Sequence, residues 1–329
     1  MKALVCNSFG PIDQLQIKEI NDPTPTSGQV VIDVGYASVN FPDALIVQGL
    51  YQVKPPTPFT PGHELAGVVS KVGEGVKEFK IGDRVVATPG VGGFAEKVLV
   101  DQMKVLPLPT NMSMQQGASL TLTYGTSLHA LKNCADLQPG QTILILGAAG
   151  GVGIAAIEIA KVMGAKVIAA ASSQEKLDFC KKSGADFLIN YESENLKEKI
   201  QEITGGKGID VVYDAVGGKY SETALRALAW RGKFLVVGFA AGEIPKIPLN
   251  LALLSERSII GVFWGEWVRR NSEGHRLNME LLSDWFKGQK INPPVCATFT
   301  LDKAKDAIEH LSSRQALGKV VVEINKLIT

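Results

Sequence analysis

Four aliphatic residues, Ile143-Leu-Ile-Leu146, run straight into the glycine-rich stretch Gly147-Ala-Ala-Gly-Gly-Val-Gly153, and apolar positions then continue at helical spacing from Ile154 to Met163. A short apolar run bounded by glycine reads as a buried strand, and the 3.6-residue periodicity after it reads as a helix packed on that strand. The alternation goes on. Strands are predicted at 142–146, 166–170, 187–189, 210–213, 233–237 and 258–263, with helices between them at 154–163, 175–183, 194–203 and 221–230. Short β-branched runs separated by helices imply parallel strands joined by right-handed crossovers, hence a six-stranded doubly wound α/β sheet.

The first 120 residues follow another rhythm. Short strands at 30–34, 67–72, 84–88 and 95–100 are separated by turns such as Pro55-Pro-Thr-Pro58 and Thr60-Pro-Gly62, a pattern that suits a compact β barrel. Beyond Trp264 the βα alternation stops, leaving a helix at 279–287, a short strand at 298–300, a helix at 302–311 and a strand at 319–324. This order predicts a nucleotide-binding domain over 125–265, inserted between two parts of one barrel-like domain, 1–124 and 266–329.

Composition narrows the partners. A chain of 329 residues with 45% hydrophobic content can build two domains with their own cores. A net charge of +1 with 20% charged residues leaves no basic stripe for nucleic acid or a membrane surface, so a small-molecule partner is expected. The start, Met1-Lys-Ala-Leu-Val-Cys-Asn7, reads as a strand rather than a secretory leader, and the longest uncharged apolar run, 143–157, is too short and glycine-rich to span a bilayer. A cytoplasmic protein is expected. Cys6, Cys134, Cys180 and Cys296 are scattered without C-x-x-C or zinc-knuckle spacing and read as buried, reduced thiols.

Chemistry concentrates at the glycine turn. Gly150, Gly151 and Gly153 let the backbone turn tightly and approach a pyrophosphate, while the helix N-terminus offers N–H groups and a positive dipole; Ala149 and Val152 lie in the same turn. Ala148 stands where the dinucleotide fingerprint has its first glycine, and the strand–turn–helix context carries the assignment instead. An NAD-specific site would place an acid near Ala171 for the ribose 2′-hydroxyl, and none is there. Ser172 and Lys176 can supply a hydroxyl and a cation to a 2′-phosphate, so the expected cofactor is NADPH.

Phrases along the whole chain resemble the zinc-free quinone oxidoreductase (zeta-crystallin-like) family of the medium-chain dehydrogenase/reductase superfamily. They are Val39-Asn-Phe-Pro-Asp43, Gln48-Gly-Leu-Tyr51, Pro61-Gly-His-Glu-Leu-Ala-Gly67, Gly82-Asp-Arg-Val85, Tyr124-Gly-Thr126, the glycine turn, the run from Thr204 to Gly218, and Gly318-Lys-Val-Val321. The resemblance implies a six-stranded Rossmann domain inserted between two parts of a GroES-like β-barrel domain. It also implies no metal. The superfamily's zinc enzymes hold catalytic zinc with an early Cys, the His of Gly-His-Glu and a third ligand, whereas the segment around Asn40 and Phe41 has no thiolate and the four-cysteine structural-zinc lobe is missing. His63 then reads as a turn-shaping residue, and His129, His275 and His310 as structural or surface histidines.

The resemblance further places Tyr191, in Ile189-Asn-Tyr191, at the 2′-phosphate, and brings Arg314 to the cofactor from the returning tail. Thr126, Val216, Gly238, Phe239, Phe263 and Trp264 would border the cofactor at strand C-termini, although an aromatic pair such as Phe263-Trp264 fits a core or a subunit contact equally well. The reaction implied is direct hydride transfer from NADPH to a quinone or similar conjugated carbonyl. Asn40, also placed against the cofactor, and Tyr51 are the polar groups expected to meet the carbonyl oxygen. Two alternatives stay open: an NADPH-dependent 2-alkenal, enone or enoyl-thioester reductase, and a non-catalytic NADPH-binding protein with a sensing, structural or RNA-binding role. Relatives with this architecture pair their nucleotide-domain sheets edge to edge, so a homodimer is expected near 258–263.

Overall fold

The computed structural model describes residues 1–328 as two compact units, one comprising Met1–Leu122 and the chain from Pro293 onward, the other Thr123–Asn292. In the first unit the chain forms β1 (Lys2–Val5), β2 (Gln16–Glu19), β3 (Gln29–Val39), α1 (Phe41–Val47), β4 (Glu64–Val72), β5 (Arg84–Ala87), β6 (Lys97–Asp101), β7 (Val105–Pro107) and the short α2 (Met114–Gly117). Strand β3 is central because its length lets it pair antiparallel with both β4 and β6. Its Val30, Ile32 and Val34 are fully buried in one apolar cluster with Leu65, Val69, Val85 and Phe94. Strand β3 ends at Asn40, whose extended backbone turns the chain into α1; the Asp43 carboxylate accepts the Asn40 N–H at 2.8 Å and caps the helix.

Helix α3 (Thr121–Leu128) carries the chain into the second unit. There follow β8 (Thr142–Leu146), α4 (Gly151–Val162), β9 (Lys166–Ala171), α5 (Gln174–Lys182), β10 (Phe187–Asn190), α6 (Leu196–Thr204), β11 (Ile209–Asp214), α7 (Lys219–Arg226), β12 (Leu228–Val236), α8 (Asn250–Leu253), β13 (Ser258–Gly261), α9 (Trp264–Arg270) and α10 (Ser272–Lys287). The six strands form one sheet in the order β10-β9-β8-β11-β12-β13, every pair parallel. Parallel sheets are covered on both faces, which is why β8 is aliphatic throughout and Ile143, Leu144, Ile145 and Leu146 are all fully buried. The order reverses between β8 and β11. Ligands of doubly wound sheets bind outside the strand C-termini at such a switch point.

The chain then rejoins the first unit as β14 (Val295–Thr300), α11 (Ala304–Ser312) and β15 (Lys319–Glu323), with β15 antiparallel to β3. The return comes at Pro293, not at residue 266 as the sequence pattern suggests. Packing explains the difference. Helix α10, which starts well before the expected 279, buries His275, Met279, Leu282 and Phe286. Its Asn278 takes a hydrogen bond from Lys132 at 2.9 Å and donates to Asn133 at 2.8 Å, while Trp267 of α9 stacks on His129 with ring centres 4.3 Å apart. Both helices thereby belong to the nucleotide-type unit. The thiols also differ from expectation: Cys6 and Cys180 are buried, Cys134 is half-buried and Cys296 is exposed. Among the described residues no helix is long and apolar enough to cross a membrane.

Candidate functional site

In the second unit the sequence-predicted residues gather along the C-terminal edge of the sheet. Helix α4 begins at Gly151 directly after β8, with Gly150 as an extended N-cap and no side chain capping it. Its first N–H groups are left for an anion. The turn tolerates no Cβ at Gly153, where one would stand 2.5 Å from the Gly147 carbonyl oxygen and 2.6 Å from that of Ala148. Val216 leans over the same turn from the end of β11, its methyl 2.8 Å from where a Gly147 Cβ would be. Ala149 and Val152 complete the turn, and Ser127 Oγ, beside Thr126 in α3, donates to the Val152 carbonyl at 2.9 Å.

One strand over, β9 ends at the buried Ala171, followed by the partly exposed Ser172. Lys176 lies one helical turn into α5 and reaches back so that its Nζ donates to Ser172 Oγ at 3.0 Å. The pair forms a compact hydroxyl–ammonium group with no carboxylate at the strand end, which fits a phosphate and not a free ribose 2′-hydroxyl. Tyr191 follows the end of β10, its N–H bonded to the Ala171 carbonyl at 3.2 Å, so it flanks Ser172. Its ring packs 4.4 Å from that of Tyr220, and the Tyr220 hydroxyl donates to Glu192 at 2.5 Å.

Gly238 and Phe239 follow β12, and Phe263 and Trp264 follow β13, all at the same edge. Trp264 is partly buried, edge-on to His275 at 5.6 Å, and its indole N–H has no partner among the described residues; Phe263 is 55% exposed. Sequence reasoning missed Asp214, the last residue of β11. Buried in the switch-point region, its carboxylate accepts the N–H groups of Val216 (2.8 Å) and Gly217 (2.9 Å) and the Ser221 hydroxyl (2.6 Å), and so fixes the loop that carries Val216.

The first unit holds Asn40, Tyr51 and Arg314. Asn40 is 4% exposed, and both ends of its amide are engaged. Lys319 Nζ donates to Asn40 Oδ1 at 2.6 Å, while Asn40 Nδ2 donates to Ser38 Oγ at 3.0 Å and to Glu64 Oε2 at 3.3 Å. In the unliganded chain the amide is thus held between Lys319, Ser38 and Glu64. Glu64 is fully buried and also accepts from Ser38 Oγ at 2.6 Å and the Leu122 N–H at 2.8 Å. Burial pushes the Lys319 ammonium below the ordinary lysine range, and the facing Glu64 carboxylate pulls it back up. Neither role of this Lys319–Glu64 pair was assigned from sequence, although both residues lie in recognised phrases.

Asp43 is the second buried anchor. Its Oδ1 meets His63 Nδ1 at 2.7 Å and accepts the Gly62 N–H at 3.2 Å, which ties His63 to the turn it was expected to shape. The Tyr51 ring stands edge-on to the His63 ring, centres 6.4 Å apart. Burial first, and the Asp43 charge second, push the Tyr51 phenol above its ordinary value, so it stays protonated as a hydrogen-bond donor. Arg314 lies just beyond α11 on the surface, with a left-handed φ of 62°.

Comparison with known proteins agrees with this layout. Residues 26–110 match the alcohol dehydrogenase GroES-like domain, and residues 151–282 match the zinc-binding dehydrogenase family. Quinone oxidoreductase-like protein 2 homolog of Nematostella vectensis is 39% identical over 98% of this chain and 88% of its own length. The crystal structure of Escherichia coli quinone oxidoreductase complexed with NADPH superimposes with a TM-score of 0.93 at 30% identity, covering 98% of this chain and all of that one. CurK enoyl reductase superimposes with a TM-score of 0.88 at 28% identity, covering 98% of each chain.

Proposed function

The chain belongs to the zinc-free quinone oxidoreductase family of the medium-chain dehydrogenase/reductase superfamily, and from that premise we propose that it reduces quinones or similar conjugated carbonyls with NADPH, without a metal. It is an oxidoreductase. The observation that carries the cofactor reading is the Lys176–Ser172 pair at the end of β9, with Ala171 where an NAD enzyme keeps its acid. The neighbour solved with NADPH supports it.

When bound, NADPH supplies a hydride. The chain's own residues do the rest. The uncapped N-terminus of α4 binds the pyrophosphate, and the close packing at Gly153 keeps that N-terminus fixed. Lys176, Ser172 and Tyr191 take the 2′-phosphate; Thr126, Val216, Gly238, Phe239, Phe263 and Trp264 border the ribose and nicotinamide, and Arg314 is a further cofactor-binding residue. Tyr51, kept protonated by burial and by Asp43, donates a hydrogen bond to the substrate carbonyl. Asn40, held by Lys319 and Glu64, is the second polar group offered to the carbonyl oxygen and the cofactor. A quinone accepts hydride readily, so a weak donor is sufficient and no strong acid is required.

The substrate is tested by steady-state assays with 1,4-naphthoquinones, 2-alkenals and crotonyl thioester side by side. Quinones turning over fastest is the expected result; much faster turnover of alkenals or thioester replaces the quinone reading with an enal or enoyl reductase, the reading the CurK likeness favours. We place the enzyme in the cytoplasm, in keeping with four free cysteines. We also propose a homodimer. Strand β13 is an edge of the six-stranded sheet, with Ile259 40% and Phe263 55% exposed beside it, and such an edge invites pairing with a second copy. Sedimentation at micromolar concentration should give twice the chain mass.

A further inference from the structure

Asp43 does more than cap α1. Its fully buried carboxylate accepts the Asn40 N–H on Oδ2 at 2.8 Å and the Gly62 N–H on Oδ1 at 3.2 Å, and the same Oδ1 lies 2.7 Å from His63 Nδ1. An acceptor-only carboxylate takes the Nδ1 proton. That bond fixes the imidazole ring and leaves Nε2, which meets no partner among the described residues, for another group. The neighbouring ring is Tyr51, the phenol proposed above to meet the substrate oxygen. In the superfamily's zinc enzymes the histidine of this phrase is a metal ligand, but the donor set here does not fit a metal. Asn40 stands where those enzymes have a thiolate, its amide oxygen is taken by the buried Lys319 ammonium, and no three metal-ligating side chains gather among the described residues. We propose instead that His63 is the proton donor of the reaction, with Asp43 as its orienting carboxylate, a role that rests on the reading of Tyr51 as a substrate contact.

Reduction of a quinone by hydride leaves one oxygen as a phenolate, and the hydroquinone is complete only when that oxygen takes a proton. Tyr51 holds the oxygen with a hydrogen bond but keeps its own proton, because burial and the Asp43 charge both oppose ionisation of the phenol. The His63 imidazolium supplies the proton. Its Nε2–H bond breaks as the new O–H bond forms, the ring is left neutral with Nδ1–H still on Asp43, and solvent reloads Nε2, the side chain being 17% exposed. One hydride and one proton thus convert one quinone to one hydroquinone. The buried Asp43 charge favours the imidazolium and fixes its direction, as the carboxylate of a nucleophile–histidine–carboxylate triad does. The other groups around the pair are the Tyr51 phenol and, from β15, the Lys319 ammonium, which feels the Asp43 charge; Glu64 is engaged by Lys319 and Asn40.

Long-range proton–nitrogen NMR on the whole cofactor-free protein tests the pair without turnover. Neutral His63 should carry its proton on Nδ1, with Nε2 the nitrogen that takes up and releases the second one; a neutral ring protonated on Nε2 overturns the assignment. Kinetics then use whichever of naphthoquinone, 2-alkenal and crotonyl thioester turns over fastest, so that failure of the quinone reading and failure of His63 are separate results. His63→Gln should lower kcat by roughly tenfold to a hundredfold, the modest end for a positioned acid because a quinone needs little help. KM should stay within about twofold, the pattern of an interaction made only in the transition state. The wild-type fall of kcat on the alkaline side should vanish in His63→Gln and persist in Tyr51→Phe, which loses a hydrogen bond and not the proton source. An unchanged kcat in His63→Gln, or a lowered one that keeps the wild-type alkaline fall, overturns the proton donor, the second result marking a merely structural histidine.

Discussion

Lys319 is 3% exposed and faces a fully buried carboxylate, so its worth lies in what would be left behind without it. Lys319→Met removes the cation from Glu64 and the donor from Asn40 Oδ1, stranding a buried charge at a cost of roughly 3–5 kcal/mol. The expected readout is a large fall in Tm with a loss of NADPH-dependent reductase activity, because Asn40 turns into α1 and leads to the Asp43–His63 pair beside Tyr51. An unchanged Tm would mean that the cluster is not held by this charge. Lys176 tests the opposite kind of cation, one proposed to meet a ligand. Lys176→Glu should weaken NADPH by roughly tenfold to a hundredfold, the range for one charge-assisted contact, and leave NADH nearly unaffected; equal losses for both would refute the 2′-phosphate role. The difference in legibility between the two lysines is physical. Lys176 and Ser172 lie four positions apart after a strand end, a spacing that sequence displays directly, whereas Lys319 and Asn40 are 279 positions apart and meet only because β15 pairs with β3.

The glycine turn and α4 show how an element is specified by where a Cβ cannot go. At Gly153 an added Cβ would meet two backbone carbonyl oxygens at 2.5 and 2.6 Å, and backbone cannot swing aside as a side chain can. Gly153→Ala should therefore cost about 1–3 kcal/mol and shift α4 away from β8, lowering Tm and NADPH affinity together. At Gly150 the nearest atom would be 3.5 Å away, an ordinary contact, so Gly150→Ala should fold normally and lose NADPH affinity alone, by crowding the phosphates. Tm and cofactor titration on the two variants separate packing from phosphate approach; identical behaviour would contradict that division. The strands and helices of this unit were legible because parallel strands are aliphatic on both faces and the crossover helices are periodic. Helix α10 was not: its capping Asn271 and buried Asn278 and His275 are polar, and its inward face is recognisable only once α9 and the segment around His129 lie against it.

At the scale of the whole molecule, the buried His275 and the half-buried Glu158 of the nucleotide unit set opposing pH dependences. His275 has its titration lowered from 6.5 to about 4 by burial. The stability it contributes is present above 6.5 and is lost as pH falls towards 4, because the unfolded chain takes up the proton first. Glu158 is raised from 4.5 to about 7, so its contribution is complete below 4.5 and is lost as pH rises through 7. Each amounts to roughly 3 kcal/mol as an upper bound, one pKa unit being worth about 1.4 kcal/mol. Between pH 4.5 and 6.5 the two slopes run in opposite directions and nearly cancel, so among these groups the wild-type unit should show a plateau there, followed by a decline up to neutrality. Single substitutions uncover the hidden slopes. Glu158→Gln should become steadily more stable from pH 4.5 to 6.5 and then level off above it, while His275→Gln should lose stability across the same interval. Urea unfolding of the cofactor-free protein at half-unit pH steps, followed by tryptophan fluorescence, measures both, because Trp264 stands against His275 and reports the unfolding of this unit. If Glu158→Gln keeps the wild-type plateau, the carboxyl does not titrate near neutrality in the folded unit.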